Sequence, residues 1–168
     1  MWFTDWIRLK HYPRSAVNAT LIQFSHLPNM KKASLETLAK KMKNLDFCMM
    51  VTQDNEKGGL QSRPMSNNGK VEYDGNSWFF SYKDSNKVRQ IENDPNVSLV
   101  YQTDDMLFIE CNGTAEIITD KSVMEEKWIA ELDRWFPEGV ETPGVCLIKV
   151  NSTRVQFWHK EEEGTCEA

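Results

Sequence analysis

Four side chains between positions 63 and 87 are of types that bind a phosphate group. Arg63 offers a planar fork of N–H donors, Lys87 offers a point charge, and Ser81 and Ser85 offer neutral hydroxyl donors. Together they could hold a phosphate monoester dianion. The pattern alone is equally compatible with Arg63 and Lys87 being ordinary surface cations near a buried hairpin.

The aromatic strand that contains Ser81 is predicted to present two different faces. Side chains alternate along a strand, so three aromatic rings share one face while Phe79 and Ser81 share the other. The turn 74–76, Asp-Gly-Asn, tolerates positive φ and would join this strand, 77–82, to 71–73 as a hairpin.

A short helix is predicted directly after this strand. Asp84, Ser85 and Asn86 can cap its N-terminus, and the Asp-Pro pair at 94–95 would stop it. A helix N-terminus exposes unpaired N–H groups and a partial positive charge, and Lys87 lies in the first turn. An anion could therefore dock at this end of the helix.

The remaining pattern predicts a mainly β domain. The predicted elements are a helix capped by Ser34, antiparallel strands at 47–52 and 60–66, strands at 97–101 and 108–118 with a bend or bulge at Gly113, a helix from the cap Asp120 to about 134, and a final hairpin of 145–150 and 154–158 around 151–153. Five or six antiparallel strands with short links point to a barrel.

Several motifs carry a resemblance to a known family. They are Arg63-Pro64-Met65, the Asp-Gly turn, Trp78-Phe79-Phe80-Ser81, Ser85-Asn86-Lys87 and the helix end Asn93-Asp94-Pro95. In order and spacing they resemble the pyridoxamine 5'-phosphate oxidase-like family of flavin-binding split barrels, and within it the general stress protein branch. The resemblance implies a mainly β fold with flanking helices (α+β), a six-stranded antiparallel split β-barrel of the FMN-binding type.

The same resemblance implies which residues contact the cofactor, FMN. They are Arg63, Pro64, Met65, Ser66, Phe80, Ser81, Ser85, Lys87 and Trp158. Arg63 would reach the phosphate, and the backbone of Met65 and Ser66 would lie against the flavin ring. Family members build the flavin site across a two-fold dimer, so a homodimer is expected. Trp158 would then lie at the flavin edge, with core packing as the alternative.

Two neighbouring aromatic residues are candidates for the substrate side of the site. The resemblance places Trp135 and Phe136 near the flavin edge, whereas the statistics of aromatic residues favour the core or a dimer interface. No side chain stands out as a general base, so the catalytic residues are left unassigned.

The implied function is that of an FMN-binding stress-type flavoprotein, a flavin-dependent oxidoreductase acting on a small molecule. Two alternatives stay open: a non-catalytic module that binds or senses flavin, and the same fold with deazaflavin in place of FMN. The name-giving oxidase of the family holds pyridoxal phosphate with an Arg-x-His pattern near its C-terminus. Residues 154–159, Arg-Val-Gln-Phe-Trp-His, lack that pattern, which argues against vitamin B6 oxidation itself.

The composition argues against several other classes of protein. A formal net charge of -5 and the lack of a basic stripe speak against a nucleic-acid partner. Four separated cysteines and three scattered histidines predict no metal site and are typical of a reduced, cytoplasmic protein. The sequence has no apolar run long enough for a signal peptide or a transmembrane helix.

We expect three segments in the chain of 168 residues. Residues 1–29 are predicted to be a poorly ordered extension or an over-long start, with an amphipathic arm on a partner subunit as the alternative. Residues 30–160 would form the FMN-binding split-barrel domain. Residues 161–168 are predicted to be an acidic, solvated tail.

Overall fold

The computed structural model describes residues 30–43, 45–66 and 73–167, and the structural statements below concern these ranges. The predictions for the segment 1–29 and for a strand at 71–72 lie outside the described residues. The chain divides into two units, 1–30 and 31–168, and the helices and strands of the described ranges lie in the second unit.

Strands dominate this unit, and short helices connect them. In chain order the elements are β1 (Lys31–Lys32), α1 (Leu35–Met42), β2 (Phe47–Gln53), β3 (Leu60–Ser66), β4 (Asn76–Tyr82), α2 (Asn86–Asn93), β5 (Asn96–Gln102), β6 (Leu107–Ile118), α3 (Lys121–Glu126), two 3-10 helices (Ala130–Arg134 and Gly139–Glu141), β7 (Val145–His159) and β8 (Glu162–Glu167).

The described strands form one eight-stranded sheet. Its order is β1-β8-β7-β6-β5-β2-β3, and β4 pairs with β7 beside this path. The pair β1–β8 is parallel, and the other pairs are antiparallel. The path ends at β1 and β3 without closing, as in a split barrel. The predicted mainly β fold is confirmed, with eight strands where six were expected.

Helices α1 and α2 begin after the N-cap residues that the sequence predicted. The Oγ of Ser34 accepts a hydrogen bond from the backbone N–H of Thr37 at 3.2 Å, which caps α1. Ser85 is the N-cap residue of α2, and Val88 and Ile91 bury the apolar side of that helix. Within the described ranges, no helix has the length and apolar character needed to cross a membrane.

Two apolar clusters form the core, and β4 contributes to both. Phe79 belongs to the larger cluster, together with the apolar residues of α1 and α2. Trp78 belongs to the smaller cluster beside α3, and Phe80 packs against it. The predicted division of this strand into two faces is therefore confirmed.

The predicted final hairpin at 151–153 is wrong, because β7 runs through this stretch as one strand. Its first half pairs with β4 and its last part pairs with β8. The register between β6 and β7 shifts between Asn112 and Gly113, so the predicted bulge at Gly113 is confirmed. A Cβ at Gly113 would lie 2.0 Å from the carbonyl oxygen of Asn151. The polar residues 151–153 therefore lie at a bulge, where the backbones of β6 and β7 approach closely, and do not form a turn.

The predicted acidic tail at 161–168 is also wrong, because Glu162–Glu167 form strand β8. This strand pairs antiparallel with β7 and parallel with β1. Gly164 and Cys166 point inward, and a Cβ at Gly164 would meet the ring of Phe157 at 2.5 Å. Backbone pairing and small inward residues hold the strand, so its glutamates remain at the surface.

The helix after Asp120 is shorter than predicted. Asp120 caps α3 as expected, since its Oδ1 accepts hydrogen bonds from the backbone N–H groups of Ser122 at 2.9 Å and Val123 at 3.3 Å. The helix ends at Glu126, and Ile129 adopts an extended conformation before the next 3-10 helix begins. A break here separates the two short helices that the sequence periodicity had joined.

Candidate functional site

The end of β4 and the start of α2 bring two hydroxyl groups together. The Oγ atoms of Ser81 and Ser85 lie 3.3 Å apart. Ser85 occupies the N-cap position, but its side chain makes no capping hydrogen bond. Lys87 follows in the first helical turn and is half-buried. The hydroxyls, the helix N-terminus and a lysine are therefore brought into one small region by the β4–α2 connection.

Arg63 lies on β3 and is held by three hydrogen bonds. Its Nη1 donates to the carbonyl oxygen of Met50 at 3.1 Å and to the Oγ1 of Thr52 at 2.7 Å. Its Nη2 donates to the Oε1 of Gln90 at 2.7 Å. A guanidinium has five N–H donors. Among the described residues, no acceptor bonds Nε–H or the second Nη2–H, and these two donors form one edge of the group.

The amide of Gln90 links Arg63 to a carboxylate. Its Nε2 donates to the Oδ2 of Asp54 at 3.2 Å and to the Oε1 of Gln61 at 3.1 Å, and Gln61 in turn donates to Oδ2 at 2.6 Å. The Oδ1 of Asp54 accepts the backbone N–H groups of Glu56 and Lys57 at 3.0 and 2.9 Å. These hydrogen bonds join five side chains into one polar network, which consists of Thr52, Asp54, Gln61, Arg63 and Gln90.

The electrostatics of the two cations differ from those of an ordinary surface pair. Burial lowers the pKa of Arg63, and the negative charge of Asp54 partly opposes this. Burial also lowers the pKa of Lys87, and the nearby positive charge of Arg63 lowers it further. The side chain of Lys87 makes no hydrogen bond or ion pair with any residue in the described ranges. Two desolvated cations therefore repel each other across a region that an anion would stabilise.

Asp54 is the carboxylate whose charge the network fixes. The hydrogen bond from the backbone N–H of Lys57 is the largest effect on the pKa of this carboxyl and lowers it. Burial opposes it as the second-largest effect, and the N–H of Glu56 lowers the pKa further. The hydrogen bond from Gln90 lowers it as well. Asp54 thus stays ionised behind Arg63 without contacting the guanidinium through any hydrogen bond that the structure describes.

The other predicted contacts on β3 are divided between the two faces of that strand. Met65 is buried in the larger core cluster, whereas Pro64 and Ser66 are exposed. In the sheet path, β3 is the end strand and pairs with β2. Arg63 and Met65 point inward, so Pro64 and Ser66 point outward.

The structure does not bring the predicted contacts Phe80 and Trp158 to the hydroxyl pair. The ring of Phe80 packs edge-on against Trp128, with ring centroids 4.8 Å apart, on the face of β4 opposite Ser81. Ser81 pairs with Cys146 at one end of β7, whereas Trp158 lies twelve residues further along that strand. Trp158 is 38% exposed and therefore is not part of the core.

The two candidate substrate-side residues also separate. Phe136 is buried in the smaller core cluster, as the aromatic statistics favoured. Trp135 is 60% exposed, and the guanidinium of Arg134 lies 5.1 Å from its ring centroid. The Oη of Tyr82 donates a hydrogen bond to the carbonyl oxygen of Trp135 at 3.0 Å.

The four thiols are free, and all are buried. Burial raises the pKa of Cys48 and Cys111 to about 12 and that of Cys146 to about 11. In the part of the chain that the structure describes, no group of His, Cys, Asp and Glu is arranged to hold a metal ion.

The sequence analysis missed the rest of the polar network, namely Thr52, Asp54, Gln61 and Gln90. One signal was present: Gln61, Arg63 and Met65 alternate on one face of β3, so two polar side chains share a face with a core residue. A second signal was Gln90, a polar residue beside Ile91 on the short helix. Neither signal reveals which residues become hydrogen-bonded partners.

An open barrel of mostly antiparallel strands, with a cationic site at a strand-to-helix connection, defines the class as a split barrel. The sequence profile of the family described as Pyridoxamine 5'-phosphate oxidase like matches residues 33–167. The chain belongs to this family.

Individual relatives agree with this assignment. General stress protein 26 of Bacillus subtilis (strain 168) is 25% identical over 85 residues, which cover 48% of this chain and 60% of that relative. The crystal structure of General Stress Protein 26 from Bacillus anthracis str. Sterne has 25% identity and a TM-score of 0.61 over 75% of this chain and 96% of that one. A general stress FMN/FAD binding protein from Xanthomonas citri shares the fold, with a TM-score of 0.66 and 22% identity over 76% and 89% of the two chains.

Proposed function

We propose that this chain binds FMN and that the phosphate group docks between β3 and the N-terminus of α2. The free edge of the Arg63 guanidinium and the ammonium of Lys87 supply the charge, and the hydroxyls of Ser81 and Ser85 supply neutral donors. The observation that carries the proposal is the pair of half-buried, mutually repelling cations, of which Lys87 has no anionic partner in the described ranges.

The donor set fits a phosphate monoester in chemistry as well as in charge. A phosphate accepts two parallel N–H bonds from the edge of an arginine, and a lysine adds a point charge. Hydrogen bonds to charged groups contribute about 1.5–3 kcal/mol each, which corresponds to at least about tenfold in affinity. The helix N-terminus adds uncapped N–H groups that favour an anion.

The outer edge of β3 is the proposed support for the flavin ring. An end strand presents backbone N–H and C=O groups that are not used in its sheet. Met65 and Ser66 lie on this strand, close to Arg63, and would contact the ring through their backbone. Pro64 has no N–H to donate and would contribute a carbonyl or an apolar surface. Phe80 would contribute its backbone, because its ring points to the opposite side of β4.

Beyond FMN binding, we propose that the protein is an FMN-dependent oxidoreductase that acts on a small molecule. The flavin supplies hydride or electron transfer when bound, and the residues above bind and orient it. Oxidation of a reduced nicotinamide by the FMN-loaded protein with an added electron acceptor tests this step. Tight FMN binding without turnover would instead assign a flavin-binding module.

A homodimer is part of the proposal, because one chain does not bring Trp158 to the site. Trp158 and Ser81 lie toward opposite ends of β7, so a contact between Trp158 and the flavin would come from a second copy. Exposed apolar residues on the strands support an interface: Met49 is 40% exposed, and its cross-strand neighbour Val100 is 39% exposed. Sedimentation velocity tests this, and a monomer that binds FMN tightly would exclude a site shared between two chains.

We also place the protein in the cytoplasm. Its four buried cysteines are all free, which suits a reducing compartment. Fractionation of the host cell followed by immunodetection would test this placement, and recovery outside the cytoplasm would contradict it.

Titration of the purified protein with FMN and riboflavin, followed by flavin fluorescence, tests the binding site directly. We expect tight FMN binding, weak riboflavin binding, and at least a tenfold rise in the Kd for FMN in Lys87→Gln. Lys83→Gln is the matched control, because Lys83 is an exposed lysine in the β4–α2 connection and also affects the pKa of Cys146. An equal loss in both variants, or none in Lys87→Gln, would contradict the phosphate assignment.

A further inference from the structure

Gln90 is a buried amide whose hydrogen-bonding positions are all in use. Its Oε1 accepts from the Oγ1 of Thr52 and from the Nη2 of Arg63, both at 2.7 Å. Its Nε2 donates to Asp54 and Gln61. The side chain amide has two donors and two acceptor positions, so it is fully satisfied. Such an amide has one defined orientation, and its neighbours are held in place with it.

The direction of the Arg63 guanidinium follows from this arrangement. Gln90 and Thr52 occupy donors at the end of the group, and Met50 occupies another. Rotation of the guanidinium would break all three bonds. The edge with Nε–H and the second Nη2–H therefore points in one fixed direction.

Gln90 also fixes the relation between the two cations. It lies on α2 three residues after Lys87, and residues at this spacing share one side of a helix. The bond from Arg63 to Gln90 therefore ties β3 to the helix that carries Lys87. Among the described contacts of Arg63, the bond to Gln90 is the one that reaches α2, so this amide links the position of the guanidinium to the helix that carries the ammonium.

The neutral charge of Gln90 matters as much as its geometry. Asp54 stabilises the positive charge of Arg63, but the amide stands between the carboxylate and the guanidinium. A carboxylate bonded directly to Arg63 would occupy its donors and cancel its charge. With the neutral amide of Gln90 between them, the charge of Asp54 still stabilises the charged form of Arg63, and one edge of the guanidinium stays available for an anion.

We propose that Gln90 is a positioning residue for the phosphate site: it orients Arg63, sets its distance from Lys87, and keeps the carboxylate of Asp54 away from the guanidinium. This rests on the proposed function for the identity of the anion. The orientation of Arg63 in the free protein is a separate consequence that requires no ligand.

The affinity test compares Gln90→Met and Gln90→Glu with the control Gln102→Met, at the exposed end of β5. FMN and riboflavin are titrated into each protein. We expect the Kd for FMN to rise at least tenfold in both Gln90 variants, while the Kd for riboflavin changes less than about twofold. Gln102→Met should bind both flavins like the parent. Parallel losses for FMN and riboflavin, or no loss for FMN, would overturn the proposal.

The second measurement follows the Nε–H signal of Arg63 by nitrogen-15 NMR, assigned with Arg63→Lys. In the parent protein and in Gln90→Glu, where an acceptor for Nη2 is kept, we expect restricted rotation of the guanidinium. In Gln90→Met and Thr52→Val we expect faster rotation. Equal rotation in all four proteins would overturn the positioning role even if FMN binds. Failure of the parent to bind FMN, with the expected NMR pattern, would instead contradict only the proposed function.

Discussion

The β3 side and the α2 side of the candidate site hold their cations in different ways. On the β3 side, Arg63 makes three hydrogen bonds within a network that ends at Asp54. On the α2 side, Lys87 is half-buried with no partner among the described residues, beside an N-cap serine that does not cap. The difference separates two roles. Arg63 is oriented by hydrogen bonds that also support the fold. Lys87 carries its charge in a half-buried position, which lowers the stability of the free protein, and a bound anion would offset this loss.

The largest effect on stability is expected on the β3 side. Gln90→Met leaves a donor of Arg63 and a donor of Thr52 without an acceptor in a buried region, and Asp54 loses a hydrogen bond. We expect the free energy of unfolding to fall by about 1–3 kcal/mol, measured with urea. Gln102→Met should change it by about 0.5 kcal/mol or less. Equal stability of the two variants would mean that the network does not support the fold.

A smaller effect is expected in the pH dependence of the same side. Because the pKa of Asp54 is lowered in the folded state, the unfolded chain binds this proton more readily. The stabilisation is therefore fully present above about pH 4, the unfolded value, and is lost as the pH falls through the lowered pKa. Urea unfolding between about pH 3 and 6 should show a weaker acid dependence in Asp54→Asn than in the parent. Asp104→Asn, which removes one exposed carboxylate elsewhere, is the matched control, and an equal change in both variants would contradict the role of Asp54.

The smallest effect, of opposite sign, is expected on the α2 side. Burial is the main cause that lowers the pKa of Lys87 in the folded state. The charged lysine therefore costs stability in full below that lowered pKa, and the cost is lost as the pH rises from it toward the unfolded value. Lys87→Met should leave the free protein as stable as the parent or more stable by about 0.5 kcal/mol at most, since solvent screens a half-exposed charge. A clear loss of stability in urea unfolding would show that Lys87 supports the fold and would remove the contrast with Arg63.

The α2 side was within reach of sequence reasoning because its residues are close along the chain. Local rules place Ser81 at the end of a strand, Ser85 at an N-cap and Lys87 in the first turn, and the structure has all three there. Helix caps and the alternation of side chains along a strand can be predicted from a single sequence, because both depend on neighbours only a few residues away.

The β3 side could not be predicted in the same way. Gln90 follows Arg63 by twenty-seven residues, and their hydrogen bond requires the register of β2 with β3 and the packing of α2 on that sheet. The continuous β7 was missed for a related reason: residues 151–153 have turn chemistry, but the close approach of Gly113 makes a bulge there. The Arg63–Gln90 hydrogen bond and the continuous β7 both depend on residues far apart in the sequence, and a local sequence pattern does not show which of these residues meet.

Strand β8 has a practical consequence for anyone shortening or tagging this protein. A chain cut after Lys160 would lose the partner of 154–159 on β7 and would uncover the ring of Phe157, against which Gly164 packs. Lys41 would also lose its ion pair with Glu162. An unpaired strand edge beside an exposed aromatic ring is a template for association between molecules. The acidic strand β8 therefore covers an edge of the sheet at the end of β7, and its removal would favour aggregation.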